Sequence, residues 1–151
     1  MIYHRPATVA DALALAPMIR AADRREIETV SGEGPEMVLL RAVQESQEAW
    51  AVERDGRVLS IFGVSSFLND PEIGTPWLVA TDDVKRVGVY IRKIVPGILR
   101  SWLQVYPKGL HNAVDNRNHI HIRWLRHLGF SFLEYAEING HLFHHFQLIH
   151  V

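Results

Sequence analysis

Two runs rich in apolar and aromatic residues, 130–138 and 141–149, meet at Asn139-Gly140. Both of those residues tolerate positive φ, which a two-residue hairpin turn of the tight mirror-image type requires, so the C-terminal stretch is expected to fold back on itself as two antiparallel strands. A second turn signal lies at Arg54-Asp55-Gly56-Arg57, between the β-branched and aromatic segments 49–52 and 58–64. The two hairpins together commit much of the chain to antiparallel sheet.

Helix signals fill the space between them. Residues 2–7 read as a first strand, and Thr8 with Asp11 three positions later makes a capping-box pattern ahead of the apolar run 12–19. Pro17 is expected to bend or end that helix, with a second helical piece over 21–28. Residues 31–35 form a loop, and Pro35 suits the first position of a helix carrying Val38, Leu39, Ala42 and Val43 on one face and ending near Glu48. After a polar loop at Asn69-Asp70-Pro71, residues 73–80 predict a strand, in which Pro76 suggests an edge position or a bulge. Thr81-Asp82-Asp83 looks like a cap for a long helix whose stripe runs Val84, Val87, Ile91, Ile94, Ile98, Trp102 and Val105 or Tyr106, with Pro96 inside it. A short strand over 110–114 and a helix with stripe Ile120, Trp124, Leu125 and Leu128, stopped at Gly129, lead into the final hairpin. Neither an internal repeat nor a linker is visible. A single α/β (α+β) domain over residues 1–151 is therefore expected, with a mostly antiparallel central sheet flanked by helices.

Composition narrows the class of protein. With 48% hydrophobic and 22% charged residues the chain can bury a sizeable core, and its lack of cysteine excludes a disulfide scaffold, thiolate zinc sites and a cysteine nucleophile. No apolar run is long enough for a membrane span and the first residues lack a signal-peptide layout, so a soluble, cytoplasmic protein is expected. The net charge of −1 conceals a separation: residues 1–83 carry −7, residues 84–127 carry +8 and residues 128–151 carry −2. Such a basic segment is a candidate site for an anionic ligand. Trp102 and Trp124 fall on core stripes instead of beside the basic side chains, which argues against nucleic acid.

Nine histidines raise the question of a metal. Their spacing argues against one, since His119 and His121 diverge around a helix, His144 and His145 point to opposite faces of a strand, and no HExxH pattern occurs. Pairing about the final turn sets Tyr135 opposite His144 and Glu134 opposite His145. There is no GxSxG elbow, P-loop or GxGxxG sequence.

The order of elements, the opening Arg5-Pro6-Ala7-Thr8-Val9-Ala10-Asp11, and Asn118 with Ile122, Gly129 and Phe130 behind it resemble the GNAT superfamily of N-acetyltransferases. Residues 77–84 and 118–130 look closer still to the small acetyltransferase-related proteins of short-tailed phages of the T-seven type, which are associated with assembly of the internal virion core. The resemblance implies that acetyl-CoA or CoA binds at Val79, Lys85, Arg86, Val87, Gly88, Val89 and Tyr90, with Asn118 on the pantetheine arm and no metal. Three departures matter. One glycine, Gly88, stands where the family usually has two, with Tyr90 in the second place; Asp82 and Asp83 sit where a diphosphate would approach; and Leu125 replaces the tyrosine that serves as general acid. Glu72, Asp82 and Asp83 are the candidate catalytic carboxylates. Two functions follow from the resemblance: an N-acetyltransferase transferring acetyl from acetyl-CoA to an amine, or a non-catalytic scaffold binding phage virion proteins, in the cytoplasm of an infected host or encoded by a prophage.

Overall fold

A computed structural model describes residues 1–150, apart from the side chain of Val84, so the Val84 position of the predicted stripe lies outside the described residues. The elements run β1 (Ile2–Pro6), α1 (Val9–Leu15), a 3-10 turn (Ala16–Met18), α2 (Ala21–Ser31), α3 (Pro35–Glu45), β2 (Glu48–Arg54), β3 (Arg57–Phe67), β4 (Asp70–Ala80), α4 (Val84–Val105), β5 (Leu110–Asp115), α5 (His119–His127), β6 (Ser131–Ile138) and β7 (His141–Leu148). The seven strands form one sheet in the order β1-β2-β3-β4-β5-β7-β6. Every neighbouring pair is antiparallel except β4 and β5, which are parallel.

Helices cover both faces. One face packs against α1–α3 through Ala12, Leu15, Leu39, Ile61 and Val79. The other is buried by α4 and α5 through Val87, Ile91, Leu99, Trp102 and Leu125, which meet Phe62, Leu110 and Phe146. This two-sided burial explains why β3 reads as a continuous apolar run and not as an alternating strand.

Local chemistry sets several boundaries as expected. Thr8 caps α1 with a full capping box, its hydroxyl accepting from the Asp11 N–H while the Asp11 carboxylate accepts from the Thr8 N–H. Asp55 and Gly56, like Asn139 and Gly140, hold positive φ at the two tight turns. Tyr135 stacks on His144 with ring centroids 4.0 Å apart. A bulge between Phe132 and Tyr135 shifts the register, and Glu134 still reaches His145 at 2.7 Å.

Pro17 ends the first helix as expected: α1 stops at Leu15, a 3-10 turn follows, and Ile19 is extended, bridging to Thr81. Other expectations are corrected. Helix α3 ends at Glu45 and not near Glu48, since Glu48 opens β2 and its carboxylate accepts from the indoles of Trp50 (2.8 Å) and Trp102 (2.6 Å). Strand β4 begins at Asp70, which reduces the polar loop to a turn at Leu68-Asn69. Both helix stripes are rotated from the predicted ones. On α4 the buried line is Val87, Ile91, Val95, Leu99, Trp102 and Tyr106, with Ile94 and Ile98 half-buried and Val105 exposed. On α5 it is Ile122 and Leu125, with Ile120 exposed. Asp83 occupies the cap position of α4 without a side-chain cap bond; its own N–H donates instead to the Thr81 hydroxyl at 3.2 Å.

Candidate functional site

The parallel pairing of β4 and β5 is limited to one register, Gly74 with Leu110. Contact at that point is so close that a Cβ on Gly74 would lie 2.6 Å from the Tyr106 ring and 2.8 Å from the Leu110 side chain. Beyond it the strands part. Alternation along β4 then decides which backbone groups face the opening: Gly74 donates to Gly109 and Ala80 is bonded to Arg20 and Asp23, so the even-numbered residues turn away from β3. Leu78 accordingly directs its N–H and carbonyl into the split, where no hydrogen bond reaches them among the described residues. Pro76, in the same phase, has no N–H to leave unpaired, and its carbonyl accepts from the Asn112 side chain at 2.7 Å. The proline thus lies inside the sheet and not at its outer edge. Pro76, Trp77, Leu78, His121 and Phe146 line cavities on both faces, so the opening passes through the sheet.

Next to the split, the N-terminal ends of α2, α4 and α5 converge. Arg20, Asp82, Lys85, Gly88, Arg92 and Trp124 line a groove there. On the α2 side, Arg20 is buried and donates to Asp23 (3.2 Å) and to the Asn118 carbonyl oxygen (3.1 Å). Asp23 also accepts from the Ala80 N–H at 3.1 Å, clamping α2 to the end of β4. Glu26, one turn further on, accepts from the Asp115 N–H at 2.6 Å. Burial pushes the Glu26 carboxyl up to about 7, helped by the negative charges of Asp23 and Asp115 and opposed by the Asp115 N–H. Asp23 is also raised, chiefly by burial, against the pull of Arg20. His121 is driven down to about 4 by burial and by Arg20, so its ring is neutral. Asp23, Glu26 and His121 bring one ligand atom each to within 4.8 Å of one another.

The residues read from the sequence are distributed unevenly about this site. Lys85, Gly88 and Asp82 border the groove, and a Cβ on Gly88 would meet Trp124 at 3.3 Å. Arg86 is exposed and 3.9 Å from Asp83, and Val89 is exposed. Val87 belongs to the α4 core, and Val79 is buried on the α1–α3 face. The Tyr90 hydroxyl lies 2.5 Å from His4 Nδ1, on β1. Asn118 is fully buried: it caps α5 by accepting from the His121 N–H (3.4 Å), and its amide donates to Asp23 (3.4 Å). Glu72 is ion-paired with Lys108 at 3.2 Å, beside the closed end of the β4–β5 pair. Lys108 and Arg117 from the basic segment are engaged by Asp70, Glu72 and Asp115.

Arg20, Asp23 and Glu26 are not singled out by the sequence, and His121 is weighed there only as a metal ligand beside His119. The i, i+3, i+6 spacing of Arg20, Asp23 and Glu26 along α2 is the one signal that could have drawn attention to them.

Comparison with known proteins places the fold. The sequence matches no family model and no curated protein. Among solved structures the chain is similar to the smu.2055 protein of Streptococcus mutans (TM-score 0.71, 13% identity, 96% of each chain covered). It is also similar to a ribosomal-protein-alanine N-acetyltransferase of Brucella melitensis (TM-score 0.67, 17% identity, 97% of this chain and 99% of that one). A third is yncA of Salmonella typhimurium, a putative acetyltransferase solved with acetyl-CoA (TM-score 0.66, 14% identity, 97% and 91% covered). The chain has the mixed α/β fold of the GNAT acetyltransferases, with a seven-stranded, mostly antiparallel sheet and a C-terminal hairpin. No described helix is long and apolar enough to cross a membrane.

Proposed function

We propose that this protein is an acyl-CoA-dependent N-acyltransferase. The observation that carries the reading is the split between β4 and β5, with the Leu78 backbone turned into it beside the N-terminus of a 22-residue helix that has no side-chain cap. An open strand edge suits the amide-bearing pantetheine arm, and uncapped helix amides suit a diphosphate. Lys85 and Arg92, which line the groove, and Arg86, which lies exposed nearby, offset the carboxylates of Asp82 and Asp83. CoA would supply an acyl thioester, an electrophile that an amine attacks directly. The Leu78 N–H is the group suited to hold the carbonyl oxygen, and acetyl is the acyl group that the fold's resemblance favours.

Among the carboxylates read from the sequence, Asp82 is the one that borders the groove, while Glu72 and Asp83 pair with Lys108 and Arg86. Leu125 is buried and cannot protonate a thiolate, so the leaving sulfur in this reading takes its proton from solvent. The assembly reading draws on the sequence resemblance to phage proteins alone; no phage protein is among the structures reported above, and nothing in the site favours that reading over a coenzyme.

Isothermal titration with acetyl-CoA and with CoA tests the proposal. Micromolar binding, weakened at least tenfold by Arg92→Glu, is expected, because the substitution reverses a charge in the groove. Absence of binding at millimolar ligand refutes it.

A further inference from the structure

We propose that the cavity enclosed by α2, α3 and the open flank of β4 is a binding site for a primary ammonium group carried on an apolar body, with Asp23, Glu26 and His121 as its three acceptors. The inference rests on the acyltransferase reading only for its consequence, since such a molecule would be the acceptor amine.

The geometry is that of an acceptor cage. A primary ammonium has three donors and no acceptor. The cavity, of about 220 Å³, is lined by two carboxylates and one imidazole, with one ligand atom from each within 4.8 Å of the other two. A nitrogen set above three such atoms reaches all of them at about 2.8 Å, an ordinary hydrogen-bond length. Each acceptor keeps a free site: Asp23 accepts from Arg20, Ala80 and Asn118, three of the roughly four hydrogen bonds a carboxylate can take. Among the described residues Glu26 has no ion-pair partner, and the Nδ1 of His121 is fully buried without a hydrogen bond. A buried polar atom left unpaired costs about 1–3 kcal/mol, so a donor at this position is favoured. The rest of the lining is uncharged and mostly apolar, with Ile27, Val30, Val38, Ala42 and Trp77 beside Ser31 and Asn112, which suits an alkyl or aryl body and not a second charge. A metal ion is the weaker occupant. Arg20, paired with Asp23, opposes a divalent cation about twice as strongly as the single charge of an ammonium.

The charged groups facing Glu26 are Asp23 and Arg20 from the start of α2, Asp115 with its partner Arg117 at the end of β5, and neutral His121 from α5. The α3 side chains in the cavity, Val38, Leu39 and Ala42, are uncharged. Burial holds Glu26 protonated until about 7, so the cage is expected to take up an ammonium more strongly as pH rises through that value.

The test uses the full chain without any acyl donor. Phenethylamine and phenethyl alcohol share a shape and differ in charge, and each is titrated by calorimetry and by thermal shift. The amine is expected to bind at least tenfold more tightly than the alcohol. Glu26→Gln is expected to weaken the amine at least tenfold. Val30→Trp, at an exposed position on the cavity rim, is expected to block it without disturbing the core. Equal binding of amine and alcohol overturns the proposal, as does amine binding indifferent to both substitutions, or stabilisation by zinc ions with no response to the amine. The CoA titration is independent: amine binding without CoA binding leaves this site standing and removes the acyltransferase reading, and the converse removes this site alone.

Discussion

Glu26→Gln should separate two proton equilibria that oppose each other in the folded protein. Burial raises Glu26 from 4.5 to about 7 and lowers His121 from 6.5 to about 4. Between the unfolded and folded values of Glu26 the native state holds a proton that the unfolded chain has lost, so stability falls as pH rises across about 4.5 to 7. His121 has the opposite sign. Across about 4 to 6.5 the unfolded chain binds a proton that the buried ring refuses, so stability rises with pH there. Each fully developed slope is about 1.4 kcal/mol per pH unit, and in the shared window the two cancel. Glutamine keeps the acceptor for the Asp115 N–H but cannot ionise. The variant should therefore gain on the natural protein by up to about 1.4 kcal/mol per pH unit through the Glu26 window, reaching up to roughly 3 kcal/mol above it. Asp23 is present in both proteins, and its charge enters the difference through Glu26, whose raised value already includes it. Urea denaturation of the two proteins at a series of pH values measures it directly. A stability difference that stays constant across the series refutes the reasoning, because it would mean that Glu26 ionises alike in the folded and unfolded chains.

Arg20→Met removes the buried partner of Asp23 and of Asn118. Breaking a buried pair on one side costs about 3–5 kcal/mol, and the loss should shrink at acid pH, where Asp23 takes a proton and needs no cation; chemical denaturation at two pH values checks both parts. Gly63→Ala would put a Cβ 2.5 Å from the Glu48 carbonyl oxygen and 2.9 Å from the Trp77 ring, which lies over β3 at that point. Overpacking of this kind costs about 1–3 kcal/mol, so a melting temperature lower by several degrees is expected, and an unchanged melting curve would show that β2 and Trp77 yield freely.

What could be read in advance was local. The Thr8–Asp11 box, the Asp55-Gly56 and Asn139-Gly140 turns, and Pro35 at the start of α3 each involve residues within a few positions of one another. The helix stripes were legible as helices but misjudged in rotation: Ile94, Ile98 and Ile120 looked central, yet Val95, Leu99 and Ile122 hold the core. Periodicity reports that one face is apolar, and an apolar face wider than the contact leaves the docking angle to the partner sheet. Pro76 marked a real interruption of pairing, but its place inside the sheet depended on where β5 would lie.

The amino-acid sequence by itself determined the class of domain, the two tight hairpins and the basic stretch from Lys85 to Arg126, because turn geometry, capping and charge are carried by neighbours in the chain. Only the tertiary structure decided the site. Arg20 and Asn118 are 98 positions apart, and Ala80 and Asp23 are 57 apart, yet they form one buried network. It exists because the N-terminus of α2 docks on the end of β4 while α5 closes over both. Burial there, a property of the packed assembly and of no single segment, pushes Glu26 up and His121 down.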